Sequence, residues 1–234
     1  MANELEINMN EPWYETNAYS SSATLQSKMN TISSAYSELS KSRSEYVQFY
    51  MKNHEQIPTW IMIKVVNFST FIDVLHNSKT NVTHAICKLY SMYDDNNLPN
   101  VKLLIGSLHW LRRVRNSCAH NERVYCIHQT QARNNSASGR ILDPYYTQLP
   151  TSYSRCNEKN IFDILVYFKY FLPTEEFTPM IIELKNMLIE LQNTLQTNAF
   201  DNVRGQMGIK NLNVLDALIA LPKSKIEYHK FDTL

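Results

Sequence analysis

Glycine is nearly missing from this chain: there are four among 234 residues, alongside eight prolines. All-β sandwiches and barrels use both residue types at frequent turns, so their scarcity weighs against that class. Long runs of Leu, Ile, Met, Lys, Glu and Gln point instead to helices. Cysteine is sparse too. Cys87, Cys118, Cys126 and Cys156 form no CxxC pair and no dense framework, which argues against a disulfide scaffold and fits a reducing interior. Neither sign of charge dominates, and a formal net charge of +1 exerts no global pull on nucleic acid. Long hydrophobic runs are also lacking. Trp60–Leu75 is interrupted by Lys64, Asn67 and Asp73, and Ile161–Leu172 by Asp163 and Lys169; both are too short or too polar to span a bilayer. The N-terminus is acidic and polar, the opposite of a signal peptide. The expectation is a cytoplasmic protein with no membrane partner.

What the chain does have is enough apolar residue for a core, 44%, and an uneven spread of charge. From Asn3 to Ser27 the only charges are Glu4, Glu6, Glu11 and Glu15. From Lys102 to Arg140 seven cations (Lys102, Arg112, Arg113, Arg115, Arg123, Arg133, Arg140) stand against one anion, Glu122. Such a concentration fits an electrostatic footprint for phosphate. The plainer reading is a solvated basic helix and loop.

Residues 1–22 are polar and end in Ser20-Ser21-Ser22, which reads as a mobile or loosely docked tail. From Ala23 to about Asn53 apolar residues recur at helical spacing, as one long helix or two shorter ones. Pro58 sits just before Trp60, where a helix start tolerates it, and Trp60–His76 reads as one strongly apolar helix. Thr80–Tyr93 is a third helix, stopping before the turn-forming Asp94-Asp95-Asn96-Asn97. Pro99 opens a fourth, whose buried stripe is Val101, Leu104, Ile105, Leu108, Leu111, Val114 and Cys118. Gln129–Asn157 is a long polar loop. Lys159–Leu172 and Thr174–Gln196 are further helices split by Pro173, and Leu212–Leu221 is a last short one. The spacing therefore predicts an all-α bundle of about seven helices with one long polar loop, residues 23–234 forming a single domain.

The fourth helix runs into Arg115-Asn116-Ser117-Cys118-Ala119-His120. Arginine holds a phosphate with a planar fork of donors, and histidine both takes and gives a proton near neutral pH. An anion clamp beside a proton shuttle is the minimum equipment for cutting RNA without a metal or other cofactor. On a straight helix Arg115 and His120 lie ~140° apart, whereas Asn116 and His120 share a face. Arg112 lies one turn earlier on that side and Arg123 one turn later; with Arg113 they are the candidates for holding RNA. Two arrangements would join Arg115 to His120: a helix that ends or kinks near Ala119, or two copies packed across a two-fold axis. The structural reading has His120 favouring the helix dipole and Arg115 paired with Glu122. Cys118, His120, Cys126 and His128 also form a set of zinc-binding types, but their spacing matches no common zinc finger, so no metal is expected. Cys118, on the apolar stripe, reads as a buried thiol rather than a nucleophile. Tyr145, Tyr146 and Tyr153, interleaved with Arg140 and Arg155, suit either base stacking or plain loop anchoring.

The words around the Arg–His pair carry a further signal. Trp110-Leu-Arg-Arg-Val-Arg-Asn-Ser-Cys-Ala-His-Asn-Glu-Arg-Val-Tyr125 resembles the "lRN.cAHh.rl" signature of Abi-like abortive-infection proteins, a branch of the HEPN superfamily. Ile57-Pro-Thr-Trp-Ile-Met-Ile-Lys-Val-Val-Asn-Phe-Ser69 resembles that branch's "lP.w…e..sfg" segment. The resemblance implies an all-helical HEPN-like domain and a homodimer whose interface brings two Arg-x4-His motifs together. It also implies a metal-independent endoribonuclease serving phage defence or a toxin–antitoxin pair, with RNA as substrate and an RNA or protein antitoxin as partner. Arg115 and His120 fall on the motif ends and Asn116 on the polar position after the arginine, so these three are the catalytic candidates. Asn121 stands where many relatives repeat histidine, and Tyr125 where many have tryptophan. Some HEPN proteins bind RNA without cutting it, so the alternative is a non-catalytic helical module that binds RNA or protein through the same basic patch.

Overall fold

The computed structural model describes residues 1–94, 96–130, 145, 148–149 and 158–222. Among these the protein is all-α. Eleven α-helices are present where the spacing predicts about seven, and a two-residue antiparallel ladder joins β1 (Gln129–Thr130) to β2 (Glu158–Lys159). Cα packing divides the chain into two compact units, Met1–Leu89 and Tyr90–Leu234, where the spacing predicts one domain over 23–234. No helix among the described residues is long and apolar enough to cross a membrane.

The first unit holds α1 (Ala2–Asn8), α2 (Leu25–Lys41), α3 (Glu45–Asn53), α4 (Thr59–Val65), α5 (Phe68–Asn77) and α6 (Thr80–Leu89). Residues 1–22, read from composition as a tail, are tied down here. α1 packs on α4 and α6, and Leu5 and Trp13 are fully buried. Trp13 Nε1 donates to the Ile57 carbonyl at 2.7 Å, and the Tyr19 hydroxyl donates to the Trp13 carbonyl at 2.6 Å. A few large side chains do this work without any periodic stripe; a tryptophan removes on the order of 200 Å² from water. The apolar stretch Trp60–His76, expected as one helix, breaks at Val66-Asn67. Asn67 Oδ1 accepts the Ser69 and Thr70 N–H groups and starts α5 afresh. The Glu38 carboxylate on α2 in turn accepts from the Asn67 N–H, from Asn67 Nδ2 and from Thr70 Oγ1.

The second unit holds α7 (Val101–Ala119), α8 (Ile161–Phe171), α9 (Thr174–Thr194), α10 (Thr197–Gln206) and α11 (Asn213–Ala220). α8 is its central helix, buried on nearly every side and packed against α7 and α9. Lys169 within it is 3% exposed. Its Nζ donates to the Leu218 carbonyl at 2.8 Å in the last turn of α11, where a cation favours the helix dipole. Tyr145 is buried against the Tyr170 ring at 4.7 Å, which makes it an anchor rather than a free base-stacking surface. Tyr146, Tyr153, Arg140 and Arg155, with most of the loop 129–157, lie outside the described residues.

Candidate functional site

α7 starts on Asn100, whose Oδ1 accepts the Leu103 N–H at 2.9 Å. Its buried stripe runs through Leu103, Ser107, Trp110, Val114 and Ser117, in steps of four and three. Trp110 is 1% exposed and fixes the rotation of the helix: Nε1 donates to the Asn160 carbonyl at 3.0 Å. Asn160 caps α8 by accepting the Phe162 N–H at 3.0 Å, and Asp163 Oδ2 accepts the Asn160 N–H at 2.7 Å. Gly208 lies against this cap at φ 78°, where a Cβ would come 2.2 Å from the Asn160 side chain.

That rotation settles which residues of the motif reach solvent. Counting ~100° per residue from Trp110, Arg112 and Ala119 point away from the core, with Arg115 and Asn116 on either side of them. Arg113, Arg115, Asn116, Cys118, Ala119, His120 and Arg123 are exposed, and Arg112 is half-buried. Cys118 is thus a correction: expected as a buried thiol, it is exposed, because the buried stripe ends on Ser117 and the next residue turns a further ~100° outward.

The helix ends at Ala119 in a Schellman motif. The Asn121 N–H donates to the Cys118 carbonyl at 3.1 Å and the Glu122 N–H to the Ser117 carbonyl at 2.9 Å. Asn121 supplies the left-handed residue at φ 55° that this closure requires. The termination near Ala119 therefore exists, yet it makes no hydrogen bond between Arg115 and His120. Arg115 Nη1 donates to Asn116 Oδ1 at 3.0 Å. The His120 imidazole has no hydrogen-bond partner among the described residues, and Arg115 makes no ion pair with Glu122 there.

The flanking arginines differ in availability. The Arg113 guanidinium sits over the Trp110 ring, 5.6 Å from its centroid. Arg123, at the entry to a 3-10 turn (Val124–Cys126), has no side-chain partner among the described residues. The Arg123 carbonyl accepts from Cys126 Sγ at 3.1 Å, and His128 Nδ1 lies 3.1 Å from the Cys126 carbonyl. Among the described residues no group of three or more His, Cys, Asp or Glu side chains is placed to hold a metal, the Cys118, His120, Cys126 and His128 set included.

No curated protein and no solved structure matches the chain. The family model for Abi-like proteins matches residues 1–126, a span that runs from α1 through Arg115, Asn116 and His120 to the turn beyond them. With more than half of its length inside that match, the protein belongs to the Abi-like protein family.

Proposed function

We propose that this protein is a metal-independent endoribonuclease of phage-defence or toxin–antitoxin type, acting in the cytoplasm as a homodimer of HEPN kind. Membership of the Abi-like family suggests abortive infection. The observation that carries the chemistry is the exposed His120 imidazole at the closed end of α7, without a hydrogen-bond partner among the described residues, just beyond the Arg115–Asn116 pair in the chain. A neutral His120 takes the proton from an RNA 2′-OH. The 2′-oxygen then bonds to the adjacent phosphorus as the bond to the 5′-oxygen breaks. Arg115 stabilises charge on the non-bridging oxygens, and Arg112, Arg113 and Arg123 are candidates for the flanking phosphates. An acid, assigned to the partner's His120, protonates the leaving 5′-oxygen. The products are a 2′,3′-cyclic phosphate and a free 5′-hydroxyl.

A dimer suits the exposed face of α7. Ala119 at its centre is short enough for a second copy to approach closely, with arginines on its flanks, and an isologous contact then places two His120 side chains in one cleft. An enzyme of this kind needs restraint, which the proposal assigns to an RNA or protein antitoxin. The test is cleavage of single-stranded RNA in EDTA by wild type, Arg115→Ala and His120→Ala. The proposal expects EDTA-resistant cleavage that ends in cyclic phosphate and is lost in both variants. Wild type that binds RNA and leaves it intact would instead support the non-catalytic module, and variants that cut normally would sink the assignment.

A further inference from the structure

The ribonuclease reading leaves a groove of about 610 Å³ in the second unit unexplained, a volume typical of small-ligand sites. Cys126 and His128 form one wall. Asp201, Asn202, Gly205 and Gln206 form the other, at spacings that put all four on one face of α10. Asn160 lies between them.

Three features bear on what this groove can hold. Asn160 is 8% exposed and its Oδ1 is spent on the α8 cap, but its Nδ2 has no protein partner among the described residues. A buried donor left unmet is costly, and an acceptor on a ligand would meet it. Gly205 is the second. A Cβ built on it meets nothing within 4 Å, so no neighbour requires a glycine inside this helix, where it is disfavoured relative to alanine. A bare stretch of helix does, however, let a flat ligand lie on the backbone. Third, the amides are half-used. Gln206 Nε2 donates to Asn202 Oδ1 at 3.3 Å, leaving Asn202 Nδ2 as a donor and Gln206 Oε1 as an acceptor. Asp201 Oδ1 accepts from Arg204 Nη2 at 2.8 Å, leaving Oδ2 as a further acceptor.

None of the described lining residues is Lys or Arg. A mixed set of amide donors, amide acceptors and a carboxylate matches the edge of a nucleobase. We infer that the groove holds a purine base of the RNA substrate, guanine best of all. Its N1–H and N2–H2 donors suit the Asp201 carboxylate and Gln206 Oε1, and its O6 and N7 suit the amide donors of Asn160 and Asn202. Cys126 and His128 follow His120 and Arg123 within a few residues of chain, and the inference assigns the base held here to the same RNA. The inference rests on the ribonuclease reading for the identity of the chain that carries the base.

The experiment has two arms on the full-length protein. In the first, GMP, AMP, CMP and UMP are titrated by calorimetry into wild type, Asn202→Ala, Gln206→Ala, Gly205→Leu and, as a control on the exposed surface of α9, Glu183→Ala. The inference expects GMP to bind tightest, binding to fall about tenfold or more in the three groove variants, and Glu183→Ala to bind as wild type does. Gly205→Leu improves helix propensity while filling the groove, so its loss of binding cannot be assigned to unfolding. In the second arm the cleavage sites of wild type and Asn202→Ala are mapped on one RNA. Binding of GMP without any cleavage upholds the groove and removes the ribonuclease reading. Cleavage whose base preference is unchanged in Asn202→Ala, with no nucleotide binding, overturns the groove and leaves the ribonuclease standing. Equal binding of all four nucleotides, untouched by the groove variants, also overturns it.

Discussion

Asn121 closes α7, and its replacement by valine or glycine tests whether that closure positions the chemistry. The residue sits at φ 55°, a region that costs an L-residue with a Cβ roughly 1–2 kcal/mol, least for asparagine and most for a β-branched side chain. Valine has two ways to respond. It bears the strain in place, or it lets the helix end unwind and forfeits the Asn121–Cys118 and Glu122–Ser117 hydrogen bonds, each worth about 0.5–1.5 kcal/mol net. Either route gives a loss of about 1–3 kcal/mol. For a chain of this size that is about 2–4 °C in melting temperature per kcal/mol. Glycine adopts the conformation freely but loosens the unfolded chain, so Asn121→Gly is expected within about 1 kcal/mol of wild type. Thermal melts of the three proteins measure the first half. RNA cleavage measured well below the melting temperature reads the second. If the closure sets His120 relative to Arg115, Asn121→Val cuts poorly even where it is folded, and Asn121→Gly cuts like wild type. Equal melting and equal cleavage by the valine and glycine variants would refute both the strain argument and the positional one.

Gly208→Ala drives a Cβ into the Asn160 side chain and forces an alanine to φ 78°; disruption of the α8 cap together with that strain is expected to cost about 2–3 kcal/mol, read by denaturant titration. Burial pushes the Cys87 thiol from 9.0 up to about 12, and burial also pushes the Tyr19 phenol upward. The folded chain then holds these protons more tightly than the unfolded one, so stability is full below about pH 9 and declines as pH climbs from 9 toward 12; denaturation at about pH 8 and pH 10.5 reads this, and Cys87→Ala should lose less over that interval. Asn116→Asp replaces a neutral acceptor of the Arg115 guanidinium with a charged one, so the intramolecular contact strengthens and phosphate must compete with it; RNA binding and cleavage should both weaken while thermal stability stays within about 1 kcal/mol.

The sequence made the long elements legible and hid the junctions. α7 was readable because its apolar residues recur over nineteen positions and its start carries an asparagine cap. Periodicity alone extends its stripe to Cys118, whereas Trp110, hydrogen-bonded to Asn160, turns the helix so that Ser117 closes the stripe. Trp60–His76 looked continuous because hydrophobicity is, yet a single asparagine that caps its successor outweighs periodicity at that point. α1 and α10 were not foreseen. α10 buries one residue, Phe200, so there was no stripe to find, and α1 buries only Leu5. The groove residues Asn160, Asp201, Asn202, Gly205 and Gln206 could not have been grouped from spacing, since a cap and a polar helix far along the chain meet only in the folded unit. One signal was available: Asn121, noted as a departure from relatives, is among the few residue types that tolerate the left-handed position ending a helix.

Counting cations between Lys102 and Arg140 overstates what the folded surface offers to a phosphate-bearing ligand. Arg113 lies over Trp110, and Arg115 is engaged by Asn116. Arg123 is the member whose guanidinium the described residues leave uncommitted, next to an imidazole that is also uncommitted. The partner of Arg115 is a neutral amide, and a neutral amide is a weak holder of a guanidinium compared with a phosphate, whose bidentate, charge-assisted contact is roughly twice as strong. A carboxylate there would sequester the arginine, and an apolar neighbour would leave it to wander. An amide keeps the side chain ordered at the surface and releases it to a stronger acceptor. Under the proposed mechanism Asn116 then acts as a positioning residue through Arg115. The arginine is held by its neighbour, the helix closes four residues later, and at the point of closure no described residue bonds to the histidine ring.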